Sequence, residues 1–177
     1  MTYKQFRPEV VLNMSALVAR RVCIGVAGVA TALTLTGAGQ AASSSPTPTP
    51  TESSLLTALN EVRVAHGLRP LRWDGRLERA ARGHSAKMIR TDRFFHGAFA
   101  RRIRRVGVRA PRVGENLAWS TGSLTQARAV VSAWLASPPH RANLLRPGYR
   151  MIGVGAVRGR FSGHAGALVV TTDFAGS

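Results

Sequence analysis

An apolar run at residues 22–36 determines how much of the chain is left to fold as a domain. Arg20 and Arg21 precede the run, and small residues follow it, with Gly39 and Ala41 at the −3 and −1 positions that signal peptidase prefers. A charged, an apolar and a small-residue segment in this order are typical of a secretory signal. Since about 20 residues are needed to span a bilayer, an uncleaved anchor is the second interpretation. We expect residues 1–42 to be a removable signal peptide.

The segment after the predicted leader has the composition of a spacer. Residues 43–51 read SSSPTPTPT. Alternating Pro and Thr favours extended backbone and offers no side chains for a core. We therefore predict a linker at residues 43–52 and one domain at residues 53–177.

The predicted mature chain contains no cysteine and has a large excess of positive charge. Cys23 is the sole cysteine of the sequence and lies within the leader, so the domain must fold without disulfides. The chain has 25 Lys and Arg and 8 Asp and Glu, of which four and one lie in residues 1–42. The remainder therefore has 21 basic and 7 acidic residues, a net charge of +14. The charge belongs to the domain.

Helical patterns dominate the first half of the predicted domain. A helical pattern begins at Ser53, with Leu55, Leu56, Leu59 and Val62 on one face, and Gly67 is placed to end this helix. Asp74 is a predicted N-cap for a second helix, whose apolar face includes His84. Spacing on that face favours a satisfied, partly buried histidine over a ligand. Residues 98–106 predict a third, very basic segment that forms either a turn or a short helix.

Strand patterns follow towards the C-terminus. GENLAWS at residues 114–120 indicates a loop that passes into a short strand, and Ser123 with Gln126 predicts a capping box for the next helix. Residues 151–157 and 167–174 predict two strands of an antiparallel hairpin, with a loop at 159–166. Helices followed by strands indicate an α+β fold rather than a parallel βαβ fold.

Six motifs occur in an order that resembles the bacterial branch of the CAP superfamily, the SCP-like domains related to cysteine-rich secretory proteins, antigen 5 and pathogenesis-related proteins. The motifs are LRWDGRLERAARGHSAKM, FFH, GENLAWS, WLASPPHRANLL, YRMIGVG and VVTTDF. The resemblance as a whole covers about residues 53–174. The resemblance implies a three-layer α-β-α sandwich with a small central antiparallel sheet and a wide cleft above it.

The same resemblance implies a cleft lined by histidines and acids. His96 matches the first histidine, Glu115 the first acid, and His140 the histidine usual in bacterial members. Members with a complete tetrad place a glutamate shortly after the helix tryptophan, whereas Leu-Ala-Ser follows Trp134 here. Whether Asp173 supplies the fourth cleft residue is left open by the sequence.

Three interpretations of His96, Glu115 and His140 remain open. Two imidazoles and a carboxylate suit a borderline divalent cation, with Zn²⁺ as the candidate metal. The same residues are the candidates for an acid–base pair that needs no metal. In the third interpretation Glu115 accepts hydrogen bonds within its own loop and from the histidines, and the set is structural. Asn116 and Asn143 are expected to brace their loops.

The basic charge is concentrated in one stretch of the domain. Residues 101–112 hold six arginines and no acid, which is typical either of a solvated loop or of a surface that attracts polyanions. Anionic cell-envelope polymers or lipids are the expected partners. Since the sequence contains no nucleic-acid-binding motif, specific recognition of DNA or RNA is not expected.

These observations favour a secreted or cell-wall-associated binding module that is not an enzyme. A metal-dependent extracellular hydrolase and a lipid- or sterol-binding protein are the alternatives, and a structural role in the wall is a third. We expect a monomer with no membrane span once the leader is removed.

Overall fold

The computed structural model describes the backbone of Val11–Val18 and residues 47–177. Within these residues a five-stranded sheet lies between two layers of helices. The strands are β1 (Val11–Val18), β2 (Arg72–Trp73), β3 (Arg112–Ser120), β4 (Tyr149–Phe161) and β5 (His164–Gly176). The helices are α1 (Pro50–Ala65), α2 (Gly75–Thr91), α3 (Phe99–Arg105), α4 (Ala127–Ala136) and α5 (Pro138–Leu144), with a 3-10 turn at Gly122–Thr125.

The sheet has the strand order β1-β3-β5-β4-β2. All neighbouring strands are antiparallel except the two-residue strand β2, which pairs with β4 in parallel. This parallel pair forms where the chain enters α2, and the amide of Asp74 donates to the carbonyl of Ile152 at 2.9 Å. The predicted α+β class is confirmed.

The two faces of the sheet carry separate cores because successive side chains of a strand point to opposite faces. Ala118 and Val170 pack with the helices α1, α4 and α5. Their neighbours Leu117 and Val169 pack with α2 through Met88. The predicted α-β-α sandwich is confirmed by this alternation.

Helix α1 begins at Pro50, earlier than the start at Ser53 that the apolar pattern predicts. Thr49 is the N-cap and forms a capping box with Glu52, whose amide donates to Thr49 Oγ1 at 3.3 Å. Glu52 is fully buried and accepts hydrogen bonds from Arg82 of α2. The end of the predicted spacer is therefore helical, because its capping signal lies inside the Pro/Thr tract.

Two glycines allow α2 to lie directly on β4. A Cβ atom on Gly153 would lie 2.1 Å from the backbone nitrogen of Glu78, and one on Gly155 would lie 2.1 Å from that of Arg82. A side chain at either position would push the helix off the sheet, since protein interiors have no room for extra atoms. The Gly-Val-Gly segment thus sets the distance between α2 and the sheet.

Arg63 joins α1 to the chain that follows α5. Its fully buried guanidinium donates to the carbonyls of Arg69 at 3.0 Å, Leu144 at 2.6 Å and Arg146 at 3.2 Å. Carbonyls at a helix end lack partners within the helix, and a guanidinium with five donors can satisfy several of them. The burial of Arg63 is thus balanced by hydrogen bonds.

The predicted hairpin of β4 and β5 is confirmed, but both strands are longer than predicted. The turn consists of Ser162 and Gly163, with φ of 48° and 82°. Two residues with positive φ match the twist of the flanking strands, so the ladder continues to the pair Phe161 and His164. The Gly and Ser content of residues 159–166 had suggested a longer loop.

Two local predictions between β3 and α4 are wrong. The Gly-Glu-Asn motif lies within β3 and not in a loop, because pairing with β5 continues through it. Ser123 forms no capping box with Gln126. Gly122, with φ of 57°, turns the chain directly after β3 and places Ser123 in a 3-10 turn, so α4 starts at Ala127 without a side-chain cap.

Strand β1 lies inside the predicted signal peptide and pairs with β3. The predicted cleavage region at residues 39–42, Cys23 and the spacer up to residue 46 lie outside the described residues, and the signal peptide stays a prediction. None of the helices in the described part of the chain is both long and apolar enough to cross a bilayer.

Candidate functional site

Two acids face each other at the centre of the sheet. Glu115 of β3 and Asp173 of β5 occupy directly opposite positions in the antiparallel register, and both are fully buried. Their side chains point to the face covered by α2 and α3, on which Leu117 also lies. Two carboxylates at such a position repel each other unless a cation or a proton compensates them.

Arg102 supplies that cation. Its guanidinium donates to Glu115 Oε2 and lies 3.5 Å from Asp173 Oδ1. A second nitrogen of the same side chain donates to the carbonyl of His96 at 3.4 Å. Phe99 and Ile103 of α3 are buried, so the helix presents Arg102 next to its apolar side and towards the sheet. The arginine thus completes the site from a different layer of the sandwich.

His96 is the second partner of Glu115. Its Nδ1 lies 2.7 Å from Glu115 Oε1, and with the proton on Nδ1 the ring donates to the carboxylate. The loop between α2 and α3 positions this ring, which is 7% exposed. The sequence predicted that His96 and Glu115 come together, and the structure places them in contact.

Arg102 carries one positive charge, so a proton on one of the two acids is needed to neutralise the second negative charge of the pair. Burial raises the pKa of Glu115 to about 7, against the lowering effect of Arg102. Burial and the negative charge of Glu115 raise the pKa of Asp173 well above its usual range. The two carboxyl groups also lie within hydrogen-bonding reach of each other, a bond that needs a proton on one of them. We therefore assign the proton to Asp173 and the charge to Glu115.

Hydrogen bonds from Asn116 and Asn143 join β3 to α5, the helix that carries His140. Asn143 Nδ2 donates to the Glu115 carbonyl at 3.2 Å and to Asn116 Oδ1 at 2.9 Å. Asn116 Nδ2 in turn donates to the carbonyl of His140 at 3.1 Å. The predicted bracing role of both asparagines is borne out by these bonds, which hold α5 against β3. The ring of His140 is 3% exposed, with Nδ1 at 2.7 Å from Ser137 Oγ.

His84 has the structural role that its spacing on α2 predicts. The ring is 3% exposed, and its Nε2 lies 2.7 Å from the carbonyl of Phe95. Burial lowers the pKa of His84 to about 4, and the nearby Arg102 charge acts in the same direction. His84 is therefore a neutral core residue at physiological pH.

These residues do not fit a metal in the arrangement that they adopt. A catalytic zinc needs three deprotonated ligands and an open position. The carboxylate of Glu115 is instead occupied by Arg102 and by the His96 ring. Across residues 47–177, no group of three or more His, Cys, Asp and Glu side chains is placed to hold a metal ion. Zinc at His96, Glu115 and His140 stays a prediction, and it requires Arg102 to move.

Sequence reasoning missed Arg102 as a site residue and treated it as part of the basic surface. The available signal was its position three residues after Phe99 and one before Ile103. These two apolar residues define the inner side of the short helix, and Arg102 adjoins that side.

Comparison with protein families agrees with this architecture. Residues 56–174 match the family model described as the cysteine-rich secretory protein family, CAP. A relative in Bacillus subtilis, the uncharacterized membrane protein YlbC, is 35% identical over 112 residues. That match covers 60% of this chain and 32% of the relative, so the chain spans about a third of the length of that protein.

Solved structures share the fold. An extracellular protein containing an SCP domain from Bacillus anthracis has a TM-score of 0.59 and 26% identity, over 72% of this chain and 40% of that one. An outer surface protein from Borrelia burgdorferi has a TM-score of 0.58 and 23% identity, over 71% of this chain and 92% of that one. The second likeness concerns the fold alone.

Proposed function

Since the chain belongs to the cysteine-rich secretory protein (CAP) family, we propose that its domain is a non-catalytic binding module that acts outside the cell or at the cell envelope. The location is supported by the leader pattern at residues 1–42 and by the extracellular protein of similar fold. The relative named as a membrane protein also suits an envelope location.

The observation that carries this proposal is the pairing of Glu115 with Arg102. A general base must reach the proton that it abstracts from a substrate. Glu115 is fully buried, and both of its oxygens are occupied by donors from the protein itself. A carboxylate held in this way stabilises the fold and leaves recognition to the outer surface.

The outer surface of α3 supports an anionic partner. Arg101, Arg104 and Arg105 are exposed, and no salt bridge within residues 47–177 involves them. Their charges are part of the net charge of +14 that remains once residues 1–42 are left out. An uncompensated basic surface attracts anionic polymers and lipid headgroups, and this attraction weakens as salt screens it.

Binding of the protein to a soluble glycerol-phosphate polymer and to vesicles containing phosphatidylglycerol tests the proposal. We expect the affinity for at least one of the two to fall at least tenfold between 50 mM and 500 mM salt, because the Debye length shortens several-fold. The Arg101→Gln/Arg104→Gln variant should weaken that binding. An affinity that does not depend on salt, or no binding to either, would contradict the proposal.

A metal-dependent hydrolase is the second candidate: His96 and Glu115 lie side by side, and both would be available to an ion if Arg102 released the carboxylate. An imidazole oriented by a carboxylate is a common acid–base arrangement. The test is the rate of ester and peptide hydrolysis in the presence of Zn²⁺, measured for the protein and for His96→Ala/His140→Ala. Equal rates would eliminate the hydrolase, and loss of a measurable rate in the variant would establish it.

Lipid or sterol binding is supported by one shallow, open surface along α1. The residues that line it are Leu56, Thr57, Asn60, Glu61, Val64 and Ala65. Val64 is 60% exposed there. If this surface holds the ligand, a fluorescent sterol should bind the wild type and should not bind Val64→Asp. Equal binding by the two proteins would exclude this surface as the sterol site.

A further inference from the structure

A basic pocket lies between α2 and α3, on the outer side of the candidate site. It has a volume of about 430 Å³, within the range of small-ligand sites. Helix α2 supplies one wall with Gly83 and His84, and α3 supplies the other. Phe95, in the connecting loop, adds an aromatic surface.

The charges around the basic pocket all have one sign. Its cationic lining residues are Arg79, Lys87, Arg101, Arg102 and Arg105, and no carboxylate lines it. Arg102 is paired with Glu115. The other four form no salt bridge within residues 47–177, and Lys87 lies 5.4 Å from the ring centre of Phe95. Four cations thus line one cavity that has no carboxylate among its lining residues, which favours an anion from solution.

We propose that the basic pocket binds the phosphate group of a small phosphomonoester, with its carbon skeleton against Phe95. This inference rests on the proposed binding function and assigns it a specific site. The ligand class follows from the donors. A dianionic phosphate offers three oxygens to several cations, and guanidinium groups match such oxygens in pairs. A carboxylate has a single charge and would compensate only one of the four free cations.

Gly83 lines the basic pocket and provides a direct test of the proposal. Apart from the backbone of its own helix, no atom lies within 4 Å of a Cβ built on Gly83. A side chain introduced there has open space beside the pocket. Gly83→Glu therefore introduces a carboxylate among the arginines without removing any of them. Ser132→Glu is the matched control, since Ser132 is exposed on α4, in the layer on the opposite side of the sheet.

Calorimetric titration of the protein with glycerol 1-phosphate at 150 mM salt measures the binding. We expect saturable one-to-one binding, competition by inorganic phosphate and no binding of glycerol. Gly83→Glu should reduce the affinity at least tenfold and Ser132→Glu less than twofold. Equal losses in the two variants, or no saturable binding by the wild type, would overturn the proposal.

A second pair of variants removes charge instead of adding it. Arg101→Gln/Arg105→Gln takes two cations from the basic pocket, whereas Arg158→Gln/Arg160→Gln takes two from the exposed end of the β4–β5 hairpin. Loss of glycerol 1-phosphate binding in the first variant alone supports a built site. Equal losses in both would show attraction by net charge and contradict it.

Vesicles that contain phosphatidic acid distinguish the source of the phosphate. If a lipid headgroup is the ligand, Gly83→Glu releases the protein from these vesicles. If the ligand is soluble, Gly83→Glu abolishes glycerol 1-phosphate binding and leaves vesicle binding unchanged. The proposed function fails separately: salt-independent or absent binding to anionic polymers and vesicles contradicts it, even where glycerol 1-phosphate occupies the pocket.

Discussion

Glu115 and Asp173 lie opposite each other on neighbouring strands, both fully buried, and Arg102 contacts both. The guanidinium thus occupies the carboxylate of Glu115, which one of the three interpretations of the sequence had assigned to a metal. It is covalently part of the chain and always charged. The negative charge of Glu115 is therefore compensated by a side chain of the protein itself.

Removal of Arg102 should destabilise the protein in a pH-dependent way. Arg102→Met leaves Glu115 buried without its cation, which costs about 3 kcal/mol at pH 8. The loss should shrink at pH 5, because protonation of Glu115 then removes the unpaired charge. Urea denaturation at the two pH values measures both quantities.

The matched control for this experiment is Arg104→Met on the same helix. Arg104 is exposed, so its replacement should change the free energy of unfolding by less than about 0.5 kcal/mol. Equal effects of the two substitutions would contradict the role assigned to Arg102. In the Arg102→Met background, Glu115→Gln/Asp173→Asn should recover part of the lost stability.

His84 should make the protein less stable as the pH falls. Its folded pKa of about 4 is below the value of 6.5 for an exposed ring, so the unfolded chain binds more protons between these values. The stability that the neutral ring provides is complete above pH 6.5 and is lost as the pH falls towards 4. Relative to His84→Gln, the wild type should lose about 2 to 3 kcal/mol between pH 7.5 and 4.5.

The comparison with His84→Gln isolates this group, because glutamine does not titrate. The raised pKa of Glu115 acts in the opposite direction and is common to both proteins. Parallel stability curves for the two proteins would show that His84 is not buried in its neutral form.

Arg63 should tolerate neither truncation nor replacement by lysine. Arg63→Met leaves the carbonyls of Arg69 and Leu144 without their donor, and we expect a loss of about 2 to 4 kcal/mol. Arg63→Lys keeps the charge but not the planar set of donors, so it should recover less than half of the loss. Thermal denaturation of the three proteins compares them, and full stability of the lysine variant would refute this account.

Two glycine-to-alanine substitutions should change the free energy of unfolding in opposite directions. Gly155→Ala places a Cβ atom 2.1 Å from the backbone of α2 and should destabilise by about 1 to 3 kcal/mol. Gly83→Ala meets open space within the same helix and should stabilise by about 0.5 to 1 kcal/mol. Denaturation curves decide between the two signs, and a neutral Gly155→Ala would mean that the helix can move away from the sheet.

The sequence predicted much of the fold because its signals are local. Asp74 caps α2 as predicted, and the apolar stripe of α4 is buried through Val130, Val131 and Trp134. The start of α1 was missed because its capping residues, Thr49 and Glu52, fall within a tract whose composition indicates a linker. The sequence also could not predict the pairing of β3 with β5. Because of this pairing, the Gly-Glu-Asn motif lies in a strand and not in the predicted loop.

The site was only partly predictable for the same reason. The resemblance in motif order predicted that His96 and Glu115 line one cleft. It could not predict the position of Asp173, because this position depends on the register between β3 and β5. Arg102 looked like one of six arginines in a basic stretch. Its role depends on the packing of α3 against the sheet, which no local pattern specifies.

The measurement that tests the account most directly is calorimetric titration of the protein with Zn²⁺ at pH 7, repeated with His140→Ala. Arg102 already neutralises Glu115, so we predict no one-to-one binding in the micromolar range or tighter for either protein. Micromolar one-to-one binding by the wild type that is lost in His140→Ala would contradict the account and restore the metal centre.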